Sequence, residues 1–122
     1  MFSFFSRKKS KPFPFELLGT DMHSHLLPGI DDGSPDPETS IQLIKGLQEL
    51  GYKKFITTPH AMEDLYPNNR ETISEAYRRL TKEMELNKTE ADIRFAAEYL
   101  LDGNVDTMLE KKEPLLTLKD NL

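Results

Sequence analysis

Short runs of β-forming residues alternate along this chain with longer amphipathic segments, and that alternation narrows the fold more than any other feature of the sequence. Thr20 to His25 reads as a first strand. Leu26 to Asp36 is a loop marked by Pro28, Gly29, Gly33, Ser34 and Pro35. A helix is expected next, with Asp36 as N-cap and Pro37 as its first residue, where a missing N–H costs nothing. Ile41, Leu43, Ile44, Leu47 and Leu50 give it a buried face, and Gly51 stands where a C-cap belongs. Lys53 to Thr58 is the second strand, stopped by Pro59. A polar loop then runs to Asn69. The second helix begins near Asn68, with Glu71 three residues on as a capping-box partner, and buries Ile73, Ala76, Tyr77, Leu80 and Met84. Ile93 to Ala97 is the third strand. Asp102-Gly103-Asn104 opens a short helix with Val105, Met108 and Leu109 inward, and Leu115 to Leu118 is a last short apolar run, read as a strand.

Strands separated by helices imply parallel pairing through right-handed crossovers, hence an α/β fold. Three or four such units are too few to close a (β/α) barrel, which takes about 250 residues. The 122 residues therefore form either a small open sheet or part of a larger barrel.

With 37% hydrophobic and 30% charged residues the composition suits a globular chain and argues against wholesale disorder. There is no cysteine, so neither a disulfide framework nor a thiolate metal site is available, and any metal must be held by His, Asp and Glu. The net charge of −5 conceals an asymmetry. Arg7, Lys8, Lys9 and Lys11 stand in a Phe-rich opening stretch without acids, while the rest of the chain carries 12 bases against 21 acids. An acidic body does not suit a nucleic-acid partner. It suits a protein that collects divalent cations. Residues 1–19 read as an N-terminal tail, either a weak contact for an anionic membrane surface or a frayed terminus. That stretch lacks the apolar core and cleavage site of a signal peptide, and no apolar run approaches the ~20 residues of a membrane span. The expectation is a cytoplasmic protein, with the inner face of the membrane as the alternative.

The chain has three histidines, each at or just past the C-terminal end of an expected strand. His23 and His25 end the first, His60 follows the second, and Glu98 ends the third. Catalytic residues of parallel α/β sheets collect at this rim. In an extended strand, residues two apart point the same way, so His23 and His25 can share a metal with Ser24 facing away. Asp31 and Asp32 lie in a glycine-bounded loop able to fold back over the site. Imidazole and carboxylate together suit zinc, manganese or iron rather than calcium. Each piece alone has a plainer explanation: a chance His pair, a His60 bonded to a loop, a Glu98 paired with Arg94 or a lysine, an ordinary polar turn at Asp31-Asp32. Their joint placement favours a metal site.

The run from Asp21 through His23, His25 and Pro28-Gly29-Ile30 to Asp31-Asp32-Gly33 closely resembles the first motif of PHP-domain (polymerase and histidinol phosphatase) tyrosine phosphatases of capsular and exopolysaccharide synthesis. Thr58-Pro59-His60 resembles their second motif, and Ala96-Ala97-Glu98-Tyr99 their third. The resemblance covers nearly all of residues 20–122, which are read as a partial PHP domain. It implies a distorted (β/α) TIM-like barrel, of which this chain is the N-terminal portion, with up to three divalent ions, Mn²⁺ first and Zn²⁺ or Fe²⁺ as alternatives. By the resemblance, His23 and His25 bind one ion, Glu98 bridges it to a second, Asp32 and His60 hold a third, and Asp31 is a ligand or a neighbour of ligands. By the same resemblance, a metal-activated water would attack phosphorus in line with the departing tyrosyl oxygen.

The implied substrate is a phosphotyrosine protein, a bacterial tyrosine kinase in particular. A small-molecule phosphoesterase of the histidinol-phosphatase kind is the alternative, as is an inactive fragment that binds only metal or a partner. Family members are about twice as long, and their C-terminal half supplies further ligands (a Glu, a His and an Asp-x-His pair) and phosphate-binding arginines. This chain has no histidine after His60. It is therefore expected to be a truncated product, one half of a split protein or a cut piece, poorly active alone, and prone to self-association or to pairing with a separate C-terminal half.

Overall fold

A computed structural model describes residues 11–121. Its central feature is a parallel sheet of β1 (Thr20–Asp21), β2 (Lys54–Thr57) and β4 (Asp92–Phe95) in the spatial order β1-β2-β4. Between β1 and β2 runs α1 (Pro37–Leu50), and between β2 and β4 runs α2 (Arg70–Leu86). Both crossovers step in the same direction across the sheet, so right-handed connections put both helices on one face. The core bears this out. Ile41 and Ile44 of α1, Ile73, Ala76, Leu80 and Met84 of α2, and Phe55 and Ile93 of the sheet form a single buried cluster. A mixed α/β architecture with parallel strands is therefore what the chain adopts. Helix α3 (Gly103–Glu110) follows the strands and buries Val105.

The helix ends follow local chemistry closely. Asp36 caps α1 by accepting the Thr39 N–H at 2.7 Å, Pro37 opens the helix, and Gly51 closes it at φ 112°, where a side chain would be strained. Helix α2 is capped one residue later than the sequence pattern indicates. Asn69 accepts the Thr72 N–H and Thr72 Oγ1 accepts the Asn69 N–H, both at 2.9 Å. Asn68 and Glu71 are not the capping pair, because the Asn68 side chain bonds elsewhere. Asp102 caps α3 and also accepts the Glu63 N–H at 2.9 Å. Backbone N–H donors at Thr39 for Asp36, and first of all at Glu63 for Asp102, hold these carboxyls below their ordinary pKa.

Several expected boundaries shift, each for a visible reason. The first strand stops at Asp21 rather than His25, because Thr58 N and Thr57 Oγ1 both bond to Ser24 O and turn the chain out of the ladder. The second ladder breaks at Pro59, which has no N–H. It resumes as a second small parallel sheet of β3 (His60–Ala61) and β5 (Glu98–Tyr99). Bonds from Ala96 N to Thr57 O and from Glu98 N to Pro59 O join the two sheets into one run. Leu115 to Leu118 does not form a strand. Leu116 accepts from Ala97 N at 3.1 Å, but its own N–H is taken by the Tyr99 hydroxyl at 3.0 Å, and Pro114 has no N–H to offer. Leu116 is nevertheless buried in the core. Leu43, Leu50 and Leu109 are exposed rather than inward. Leu43 lies two residues from Ile41, off the face that the helical repeat defines.

Most of the basic, Phe-rich opening stretch, through residue 10, lies outside the described residues. Beyond it, Phe13 meets Phe15 edge-on at 5.1 Å and Phe15 meets Tyr52 at 5.7 Å, beside the end of α1. No helix among the described residues is long and apolar enough to cross a membrane.

Candidate metal centre

The rim where the parallel strands end is assembled by bonds between segments distant in sequence. Thr57, fully buried, accepts the Leu26 N–H at 2.9 Å and donates to Ser24 O at 2.9 Å. With Thr58 N bonded to Ser24 O at 2.7 Å, the segment carrying His23 and His25 is pinned across the end of β2. Leu26 and Leu27 then plunge into the core and anchor it. The following loop folds back, with Gly29 N bonded to Ser34 O at 2.7 Å and Ser34 N to His25 O at 3.1 Å. Gly33 passes so close to His25 that a Cβ there would lie 2.3 Å from His25 Cβ and 2.4 Å from His25 O. Only glycine permits that approach.

This scaffold brings His23, His25, His60, Asp31, Asp32 and Glu98 together. His60 and Glu98 are direct register partners in the second sheet. Glu98 Oε2 stands 3.1 Å from His60 Nδ1, 3.5 Å from His25 Nε2 and 3.8 Å from His23 Nε2. His60 Nε2 faces Asp32 Oδ1 at 3.3 Å. Two overlapping groups result, His23–His25–Glu98 and His25–Asp32–His60, whose ligand-type atoms lie within 4.8 Å of one another in each.

The rings are aimed. Nδ1 of His25 donates to Asp31 Oδ2 at 2.8 Å, and Nδ1 of His23 lies 2.9 Å from Thr58 Oγ1. With Nδ1 of each ring engaged, Nε2 of each is turned toward Glu98. This is the arrangement by which outer partners fix the tautomer and direction of metal-binding imidazoles. The Asp31 carboxylate is fully buried and also accepts the N–H groups of His60 and Gly33, each at 3.0 Å. Three hydrogen bonds thus converge on its two oxygens. The His60 ring has the ring of Tyr66 nearly parallel to it at 5.6 Å and that of His25 at 4.5 Å.

The donor set passes a test of fit for a cation. His60 Nδ1 and Glu98 Oε2 are both shielded from solvent, yet neither has a hydrogen-bonding partner, because their 3.1 Å contact lacks hydrogen-bond geometry. Buried polar atoms without partners are costly, and a divalent ion satisfies nitrogen and carboxylate oxygen at once. Nitrogen and oxygen donors together suit manganese, iron or zinc.

Thr57, Thr58, Tyr66 and Asn68 belong to this site although none carries a metal-ligand signature in the sequence. Thr58 is part of the Thr58-Pro59-His60 motif and Thr57 immediately precedes it, and that adjacency was the available signal. Nothing local distinguishes Tyr66 or Asn68.

The comparisons with known proteins agree on one family. Residues 19–121 match the family profile described as capsular polysaccharide synthesis, CpsB/CapC. The chain is 31% identical over 100 residues to the tyrosine-protein phosphatase YwqE of Bacillus subtilis (strain 168), covering 82% of this chain and 39% of that protein. It is 30% identical over 104 residues to the tyrosine-protein phosphatase CpsB of Streptococcus pneumoniae, covering 83% and 41%. A solved structure from work on YwqE and CpsB, described there as unique metal-dependent tyrosine phosphatases, superposes with a TM-score of 0.66 at 29% identity, over 77% of this chain and 38% of that one. The chain thus spans about 40% of the length of the curated relatives it matches.

Proposed function

Because the chain belongs to the CpsB/CapC family of capsular polysaccharide synthesis, we propose that it carries the first ligand cluster of a metal-dependent protein-tyrosine phosphatase acting on phosphotyrosine protein, a bacterial tyrosine kinase in particular. One observation carries this reading: Glu98 Oε2 sits shielded and unpartnered among the imidazoles of His23, His25 and His60. In this reading His23, His25 and Glu98 hold one ion, Asp32 and His60 hold another, and Asp31 orients His25 without binding metal itself. Mn²⁺ is the proposed metal, and a distorted (β/α) barrel the proposed complete domain.

Bound divalent ions would supply neutralisation of phosphoryl charge and a lowered pKa for water. The residues of this chain set where that chemistry happens. Asp31 accepts the Nδ1 proton of His25, leaving its Nε2 a lone pair, and Thr58 Oγ1 engages Nδ1 of His23, so that Nε2 of each ring is the atom turned toward Glu98. Glu98 supplies negative charge that concentrates cations at the rim. With no cysteine in the chain, a thiolate nucleophile has no source here.

Two measurements test this. Calorimetric titration should show Mn²⁺ binding to the chain, weakened at least about tenfold in Glu98→Gln; equal affinity would remove the reading. Joining the chain to the C-terminal portion of B. subtilis YwqE should give Mn²⁺-dependent hydrolysis of phosphotyrosine peptides that His25→Ala abolishes. The isolated chain should turn over poorly, since each 1.4 kcal/mol of lost charge stabilisation is about tenfold in rate.

A further inference from the structure

Asn68 lies in the loop between β3 and α2 and binds nothing as a metal ligand. Its Nδ2 donates to two carbonyls, Ile30 O and His60 O, each at 2.8 Å. Its Oδ1 accepts from Thr72 Oγ1 at 3.2 Å, and Thr72 belongs to the capping box that opens α2. A side-chain amide has two N–H donors, and both are committed. The reverse orientation would set the amide oxygen against two carbonyl oxygens, so the network allows one orientation. Ile30 immediately precedes Asp31-Asp32. One side chain therefore ties the Ile30–Asp31 peptide, one residue before Asp32, to the residue whose imidazole Asp32 faces, and fastens both to the start of a 17-residue helix.

We infer that Asn68 is a positioning residue for the Asp32–His60 pair. It sets the spacing between the loop that bears Asp32 and the strand that bears His60, and thereby the affinity of the His25–Asp32–His60 group for a divalent cation. In the His23–His25–Glu98 group, His23 has a separate support in Thr58, and Asn68 reaches that group only indirectly, through the backbone next to Asp31. The inference rests on the proposed metal-binding function and adds a division of labour within it.

The test separates the two groups by background. In His23→Ala the remaining group is His25–Asp32–His60; in Asp32→Ala it is His23–His25–Glu98. Mn²⁺ affinity is read by calorimetry and Co²⁺ binding by its visible spectrum. Asn68→Asp, which replaces both donors by acceptors, should weaken binding about tenfold or more in the His23→Ala background, and by only about two- to threefold in the Asp32→Ala background, where Asn68 acts indirectly through Asp31. Asn68→Ser retains one hydroxyl donor and should recover part of the loss. It also serves as the test variant if Asn68→Asp does not melt cooperatively. Equal weakening in both backgrounds, which general loosening of the fold would give, overturns the inference, as does no weakening in either. Wild-type metal binding that ignores Asn68 removes this inference alone, whereas a chain that binds no metal removes the proposed function with it.

Discussion

Behind the sheet, Phe55, Ile44, Ile73 and Leu80 are buried in one apolar cluster. At the rim, Thr57, Thr58 and His60 are placed by directed hydrogen bonds, and Glu98 by its backbone pairing with the strand of His60. The first region depends on volume, since any apolar group of the right size excludes water there. The second depends on direction, since an imidazole turned by half a rotamer presents the wrong nitrogen. Stability and metal affinity should therefore respond to different substitutions.

The largest expected effect is in the core. Leu80→Ala empties a fully buried position and should cost about 2–5 kcal/mol in a denaturant titration. Metal affinity of the folded protein should be nearly unchanged. A loss well under 1 kcal/mol would mean that α2 does not hold the sheet as described.

Gly33→Ala is where the separation should fail. The new Cβ collides with His25 itself, so overpacking of about 1–3 kcal/mol should come with a loss of metal affinity. A melt that drops with unchanged Mn²⁺ binding would show that the loop and His25 are not coupled.

Thr58→Val should act almost wholly on direction. It removes the partner of His23 Nδ1 while keeping shape, and should weaken Mn²⁺ binding about tenfold, equivalent to roughly 1.4 kcal/mol. Thr58→Ser should restore it. Failure of serine to rescue would assign Thr58 to packing instead.

Asn69→Ala provides the converse. Loss of the α2 cap should cost about 1 kcal/mol of stability with metal affinity retained. An affinity loss matching that of Thr58→Val would erase the distinction between scaffold and centre.

The smallest effect is in acid. Asp36 and Asp102 are held below their ordinary pKa of 3.8 by backbone N–H donors. Their stabilising contribution is present above the unfolded-state pKa and is lost as pH falls through the lower folded value. Asp36→Asn keeps an acceptor that does not titrate, so thermal melts across that range should show a flatter acid decline than the wild type. Superimposable curves would mean that the Asp36 cap does not contribute.

Much of the helix-backed half was legible in the sequence, because its signals are local. Asp36, Pro37 and Gly51 bound α1 through bonds within a turn or two, and the spacing of Ile73, Ala76, Leu80 and Met84 needs only the helical repeat. The centre was legible as a set of residues but not as an arrangement. Reading His23 and His25 as the end of a strand correctly put them at the rim, yet they lie past it, in a segment turned by Thr57 and Thr58. The sequence left Asp31 open between ligand and neighbour and gave no sign of its hydrogen bonds to His25, His60 and Gly33. Reading Leu115 to Leu118 as a strand failed because apolar content does not say where an N–H will find its acceptor; that of Leu116 goes to a tyrosine hydroxyl.

By itself the sequence determined the alternation of strand and helix, the caps, and the residue types able to hold a cation, because these depend on each residue and its near neighbours. Only the tertiary structure decided that Pro59 would split the ladder into two sheets, that His60 and Glu98 would meet in register, and that Asn68 would join the Asp32 loop to His60. Those outcomes depend on which distant donor reaches which acceptor. That is settled when the core closes and buried polar groups must find partners among whatever the packing has brought near.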